Sequence, residues 1–186
     1  MANTYLKRDL SATGNQKKWT FSAWIKISDM NPSHDRFIFS ANNEHSGGGN
    51  YSSLMLDNGL QLRYYDYSGG GVANQLVTNR ELRDCNGWYH IMMHYDSANS
   101  TADDRFKFYI NGVQETSMSS RSNPSQNYNS YIENNYRMFI GTQTDSTSSN
   151  SDFEGLMSHV YFINDQLYAP TVFGSTDSTT GEWKIN

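Results

Sequence analysis

Two carboxylates set two apart on one extended segment share a face, and retaining glycoside hydrolysis needs carboxyls about 5 Å apart. The nearest approach to that arrangement is Asp152-Phe153-Glu154. It lacks the third acid of a Glu-x-Asp-x-x-Glu pattern, so loop solvation accounts for the pair and no catalytic residue is assigned. His90 and His94 would converge on a metal if helical, but on a strand they share a face roughly 13 Å apart and cannot ligate jointly. With Met92 between them they read as a semi-polar sheet face.

Acid-rich loops are the better cation candidates. Asp96, Asp103 and Asp104 flank one turn, and Asp145 and Asp152 flank a Thr/Ser-rich one. Their oxygens and neighbouring backbone carbonyls suit Ca²⁺, while Asp in turns more often caps backbone amides. Tyr64, Tyr65 and Tyr67 alternate along an extended run, so whichever parity faces a core, at least one ring points outward. With Arg63, Asp66 and Asn74 nearby in sequence, such rings can stack on a sugar and bond its hydroxyls. The competing expectation is that they pack in the core or against a neighbour.

These residues sit on elements that are almost entirely extended. Residues 19–28 place Trp19, Phe21, Ala23, Ile25 and Ile27 on one face, with Trp24 interrupting the polar face opposite. Period-two or β-branched and aromatic runs follow at 36–41, 51–57, 60–67, 88–95, 105–110, 113–116, 137–142 and 156–164. Asn58-Gly59 and Asn111-Gly112 mark hairpins. Residues 117–130 read as a loop, and 166–173 could be helical, limited by Pro170 to about one turn. Many short strands predict an all-β, two-sheet antiparallel sandwich, since a lone sheet would leave its apolar face wet. Its core is expected from Trp19, Phe21, Ile25, Trp88, Phe106, Phe108, Ile110, Phe139, Val160 and Phe162.

Composition removes other classes. The chain of 186 residues has 14% aromatic residues and a net charge of -5, which fits a packed domain better than disorder and argues against nucleic-acid binding. Nearly a third of the residues are Ser, Thr or Asn, so the polarity is neutral rather than ionic. The single Cys85 precludes an internal disulfide, and neither an apolar spanning run nor a Sec-type leader is expected. Lys7, Arg8, Lys17 and Lys18 crowd the start while acids dominate the end, so residues 1–18 are expected to dock on the sandwich or on a neighbouring protein. The sandwich is assigned to 19–174 and a tail to 175–186.

The motif order KWTFSAWIKI (18–27), FIFSA (37–41), WYHI (88–91), FKFYING (106–112) and FEG (153–155) resembles the laminin-G-like family of the concanavalin-A-like lectin and glucanase superfamily. The resemblance implies a jelly roll of two antiparallel sheets. Family members often carry an Asp that helps hold a cation where this chain has Ser158, and an acid where it has His159, so the resemblance does not carry that calcium site over. The end of the chain, including TDSTTGEW (176–183), is similar to laminin-G-like modules in structural proteins of tailed phages, especially marine ones. That similarity implies a non-enzymatic virion protein, a capsid decoration or fibre or tail component exposed on the particle and assembled in host cytoplasm. Its partners would be other virion proteins, copies of itself and cell-surface glycans, with no nucleic acid or membrane. A carbohydrate-binding adhesin module is the alternative.

Overall fold

The computed structural model describes residues 4–42, 49–145 and 152–186. Two antiparallel sheets carry the fold. The larger runs in the order β1 (Leu6–Asp9), β11 (Arg137–Ile140), β3 (Arg36–Asn42), β4 (Tyr51–Leu56), β5 (Gln61–Ser68), β6 (Gly71–Glu81) and β10 (Met118–Ser122). The smaller runs in the order β12 (Gly155–Asn164), β2 (Lys18–Ile27), β7 (Tyr89–Asp96), β8 (Phe106–Ile110) and β9 (Val113–Glu115). A separate hairpin joins β13 (Gly174–Thr176) to β14 (Trp183–Ile185). The all-β sandwich expected from the alternation is therefore what the chain forms.

The core lies between the sheets and is largely aromatic. The predicted inner face of β2 is fully buried from Trp19 to Ile27. Trp19 stacks on Tyr95 with ring centres 5.1 Å apart and planes 1° apart, and Phe21 stacks on Phe39 at 4.7 Å. Tyr64 and Phe106 close the cluster around them. Trp88 departs from its expected core position and is 39% exposed. It precedes β7 by one residue, outside the alternation that buries Ile91, Met93 and Tyr95.

Both Asn-Gly hairpins form, by different turns. At β8–β9, Asn111 (φ 50°) and Gly112 (φ 78°) both adopt left-handed backbone, the conformation a two-residue turn of matching twist requires. At β4–β5 the left-handed residue is Leu60 (φ 64°), and Asp57 closes the loop by accepting from Leu60 and donating to Gln61 through the backbone. Besides the short strands β1, β13 and β14, two longer ones escape the sequence reading. β6 is polar along most of its length, and β10 lies within the expected 117–130 loop, pairing with β6 through a register shift. Its pattern Met-Ser-Ser-Arg-Ser carries almost no apolar alternation. The expected helical turn appears as a 3-10 turn at Pro170–Val172.

Residues 1–18 supply β1, an edge strand whose backbone pairs with β11. Arg137 on β11 donates to Asp9 and Asp145 at 2.6 Å each, and Lys7 reaches Asp145 at 3.2 Å. Because the Lys7 ammonium is solvent-exposed, its pair contributes little. Lys7→Ala is expected to lower stability by less than about 1 kcal/mol, an effect that shrinks with added salt. Deleting residues 1–8 should instead lower the melting temperature and promote association, because it bares the β11 edge; differential scanning calorimetry with light scattering checks both.

Candidate functional site

The six residues of the tyrosine run and its neighbours separate by strand parity. Tyr64, Asp66 and Asn74 point between the sheets, where they are at most 5% exposed, out of reach of a surface ligand. There the Asp66 carboxylate accepts from Ser52 Oγ at 2.5 Å, Tyr64 Oη at 2.8 Å and Asn74 Nδ2 at 3.2 Å. No cation pairs with it among the described residues, and burial pushes its pKa up to about 6 against those three stabilising hydrogen bonds.

Arg63, Tyr65 and Tyr67 lie on the opposite face of β5, on the outside of the larger sheet. The Arg63 guanidinium sits 4.7 Å over the Tyr65 ring and donates to Gln75 Oε1 at 3.1 Å. Its buried Nε–H has no partner among the described residues. Tyr67 stacks on Tyr51 at 4.9 Å with planes 12° apart, and Tyr51 meets Tyr65 edge-on at 5.7 Å. Phe37 and Met55 are buried beneath these rings. Burial, together with Tyr51, holds the Tyr65 phenol neutral. Tyr51 was not legible from the hairpin signal: a two-residue turn at Asn58-Gly59 would set residue 51 opposite residue 66, whereas the loop also takes in Leu60 and shifts the register by one, so that Tyr51 faces Tyr67. This face combines two half-buried rings with one cation, an arrangement suited to a planar or ring-shaped ligand that carries an acceptor or anion.

The acids named as cation candidates are dispersed. Asp103 accepts from Asn123 Nδ2 at 2.7 Å, Asp104 pairs with Lys107 at 2.8 Å, and Asp145 belongs to the Arg137 and Lys7 cluster. Asp96 ends β7, and Asp152 and Asp145 flank residues 146–151, which lie outside the described residues. Among the described residues no three His, Cys, Asp or Glu side chains gather at one point. Glu154 reaches the fully buried Arg36 guanidinium at 3.4 Å, and Asp29 reaches it at 3.2 Å. The Asp152 and Glu154 pair is thereby tied to fold support on the Glu154 side. Of the basic residues, Arg8 is exposed, and Lys17 and Lys18 are half-buried where the chain enters β2.

His90 and His94 occupy the outer face of the smaller sheet, as their spacing predicts. Residues 165–186 run across that face as a strap. The Tyr168 carbonyl accepts from His94 Nε2 at 2.7 Å, and Thr20 Oγ1 donates to the Gln166 carbonyl at 2.8 Å. Trp183 donates through Nε1 to His90 Nδ1 at 3.1 Å, so His90 is neutral with its proton on Nε2, where it donates to Ser22 Oγ at 2.8 Å. Burial lowers the His90 pKa to about 4. The sequence offered one signal for this cover: Trp24 on an otherwise polar face, now 5% exposed and tilted against His90 at 5.2 Å.

Known proteins share this architecture. Among curated proteins no sequence match is found. Among solved structures, the Ruminococcus gnavus IT-sialidase CBM40 superposes with a TM-score of 0.60 at 12% identity, over 89% of this chain and 95% of that one. The same module bound to alpha2,3 sialyllactose gives 0.57 at 12% identity with the same coverage. The native heptameric SAP-like pentraxin of Limulus polyphemus gives 0.52 at 16% identity, over 85% of this chain and 68% of that one. Trypanosoma rangeli sialidase matches at 0.52 and 13% identity, and this chain spans only 22% of its length. At these identities the likeness concerns the fold. The family profile described as the concanavalin A-like lectin/glucanases superfamily matches residues 2–173, nearly the whole sandwich, and the chain belongs to that superfamily.

Proposed function

We propose that this chain is a non-catalytic glycan-attachment module that binds an acidic sugar on the outer face of its larger sheet. The observation that carries the reading is the Tyr51 and Tyr67 stack beside the half-buried Arg63 guanidinium, which lies over the Tyr65 ring. Rings supply a platform for the apolar face of a sugar, and a guanidinium beside them suits a carboxylate. The sandwich modules of matched length among the structural relatives are carbohydrate-binding modules, one of them in complex with a sialylated sugar, which supports this reading. The absence of a complete acid and nucleophile pattern, with Glu154 engaged by Arg36, supports a non-enzymatic role.

The resemblance of the closing segment to laminin-G-like modules of tailed-phage structural proteins supports placing this module on a virion surface, among capsid, fibre or tail proteins and copies of itself. In that setting it would hold the particle to host or environmental glycans. Mass spectrometry and antibody labelling of purified particles would test the placement.

Binding is tested separately on an array of sialylated, uronate-containing and neutral glycans. Retention of acidic glycans is expected, with Arg63→Ala and Tyr67→Ala each weakening it roughly tenfold or more, the scale of losing one anchor residue. Equal binding by wild type and both variants would remove this face from consideration.

A further inference from the structure

A second surface carries its own chemistry on the opposite side of the sandwich. Between the outer face of the smaller sheet and the β13–β14 hairpin runs a groove of about 800 Å³, lined by Trp24, Trp88, Trp183 and a few polar groups. That volume lies in the range of small-ligand sites. Trp88, at 39% exposure, presents a large indole to solvent at its edge.

Trp183 is held in place from several directions. Its indole N–H is bonded to His90, and its ring lies 5.9 Å from the imidazole with planes 22° apart. It rests against Gly112 and Gly174, where an added Cβ would approach the ring to 2.5 and 2.6 Å. Only glycine admits the indole at these two points, and Gly112 also needs left-handed backbone. A wall fixed this way loses little freedom when a ligand arrives.

The polar groups of the groove are underused. Asn111 spends Oδ1 on the His90 backbone N–H at 2.9 Å, leaving its Nδ2 donors without a partner among the described residues. The Glu182 carboxylate has no partner among the described residues, whereas Lys184 is committed to Asp177 at 2.8 Å. Trp24 is more than nine-tenths buried, and its indole N–H has no hydrogen-bond partner among the described residues. A buried donor without an acceptor calls for an explanation. The free set is thus indole faces, amide and indole donors, and one carboxylate acceptor.

The geometry points to a second saccharide site in this groove, for an uncharged pyranoside whose apolar face stacks on Trp88 and whose hydroxyls meet Asn111 and Glu182. The unpaired Glu182 disfavours sugars bearing carboxylate or sulfate, opposite to the preference of the Arg63 face. This inference rests on the reading of the chain as a glycan-binding module and adds a site with its own specificity. Two sites on opposite faces would let one copy bridge two glycans.

Intrinsic tryptophan fluorescence, titrated with maltotetraose, cellotetraose and mannotetraose on the full chain, tests the site, with sialyllactose as the acidic probe. At least one neutral tetrasaccharide is expected to give a saturable shift. Trp88→Ala should weaken it roughly tenfold or more with an unchanged melting temperature and unchanged sialyllactose binding. Trp24→Phe, which keeps an aromatic ring and removes the N–H, should weaken it as well. Absence of a saturable shift with all three neutral probes, or equal affinities of wild type and Trp88→Ala, overturns the groove site. Sialyllactose binding that survives Trp88→Ala and is lost on Arg63→Ala in that case leaves the first reading standing. Neutral binding lost on Trp88→Ala, without any acidic binding, supports the groove and removes the tyrosine face.

Discussion

Asp66→Asn is expected to stabilise the domain at pH 7.5 by about 3 kcal/mol, because the shift of the carboxyl from its ordinary 3.8 to about 6 is a cost of ionising it inside the sandwich. The amide can keep the network: its oxygen accepts from Ser52 and Tyr64, and its NH₂ faces Asn74, whose own amide turns to accept. The sign follows from proton counting. Between pH 3.8 and 6 the folded state holds the Asp66 proton more tightly than the unfolded chain, so this group's contribution is complete below pH 3.8 and is lost as pH rises through 6.

His90 works in the other direction over nearly the same window. Its folded pKa of about 4 lies below the ordinary 6.5, so the unfolded chain binds the proton first and stability falls as pH drops from 6.5 through 4. In the wild type the two slopes oppose each other. In Asp66→Asn the histidine slope, to which His94 adds because burial lowers its pKa too, is no longer opposed by Asp66, so the urea midpoint should drop on acidification more steeply than in the wild type. Urea titrations at pH 7.5, 5.5 and 4 measure both effects. A variant less stable than wild type at pH 7.5 would show that the ionised carboxylate is needed, and would point to a cationic partner in the interior.

Trp19→Ala should cost about 3–5 kcal/mol, a large fraction of what a domain of this size holds. Trp19 is fully buried, stacks face to face on Tyr95, touches Phe39, Tyr64 and Phe162, and donates from Nε1 to Ser130 Oγ at 3.3 Å. Removing it empties the centre of the aromatic cluster and leaves neighbours on both sheets without contacts. Trp19→Phe retains a ring and should lose distinctly less. Near-UV circular dichroism and urea denaturation would register the difference; equal losses from the two variants would mean that the indole's volume contributes little.

Strand alternation was enough to predict the sandwich, because period two ties each buried side chain to a face without reference to distant partners. The inner face of β2 and the hairpins at Asn58-Gly59 and Asn111-Gly112 follow from local sterics and burial, and they stand where the residues placed them. The tyrosine run shows the boundary of that reasoning. Alternation required at least one outward ring, but only the packing of β5 against the core decided that Tyr64, Asp66 and Asn74 turn inward while Arg63, Tyr65 and Tyr67 turn out. β6 and β10 stayed hidden because polar strands are held by backbone pairing to neighbours, which leaves no apolar period in their own residues. The Trp183 and His90 contact joins residues 93 apart in the chain. Local sequence carries no record of such a meeting, since it arises when residues 165–186 fold back over a sheet face whose polar groups they satisfy.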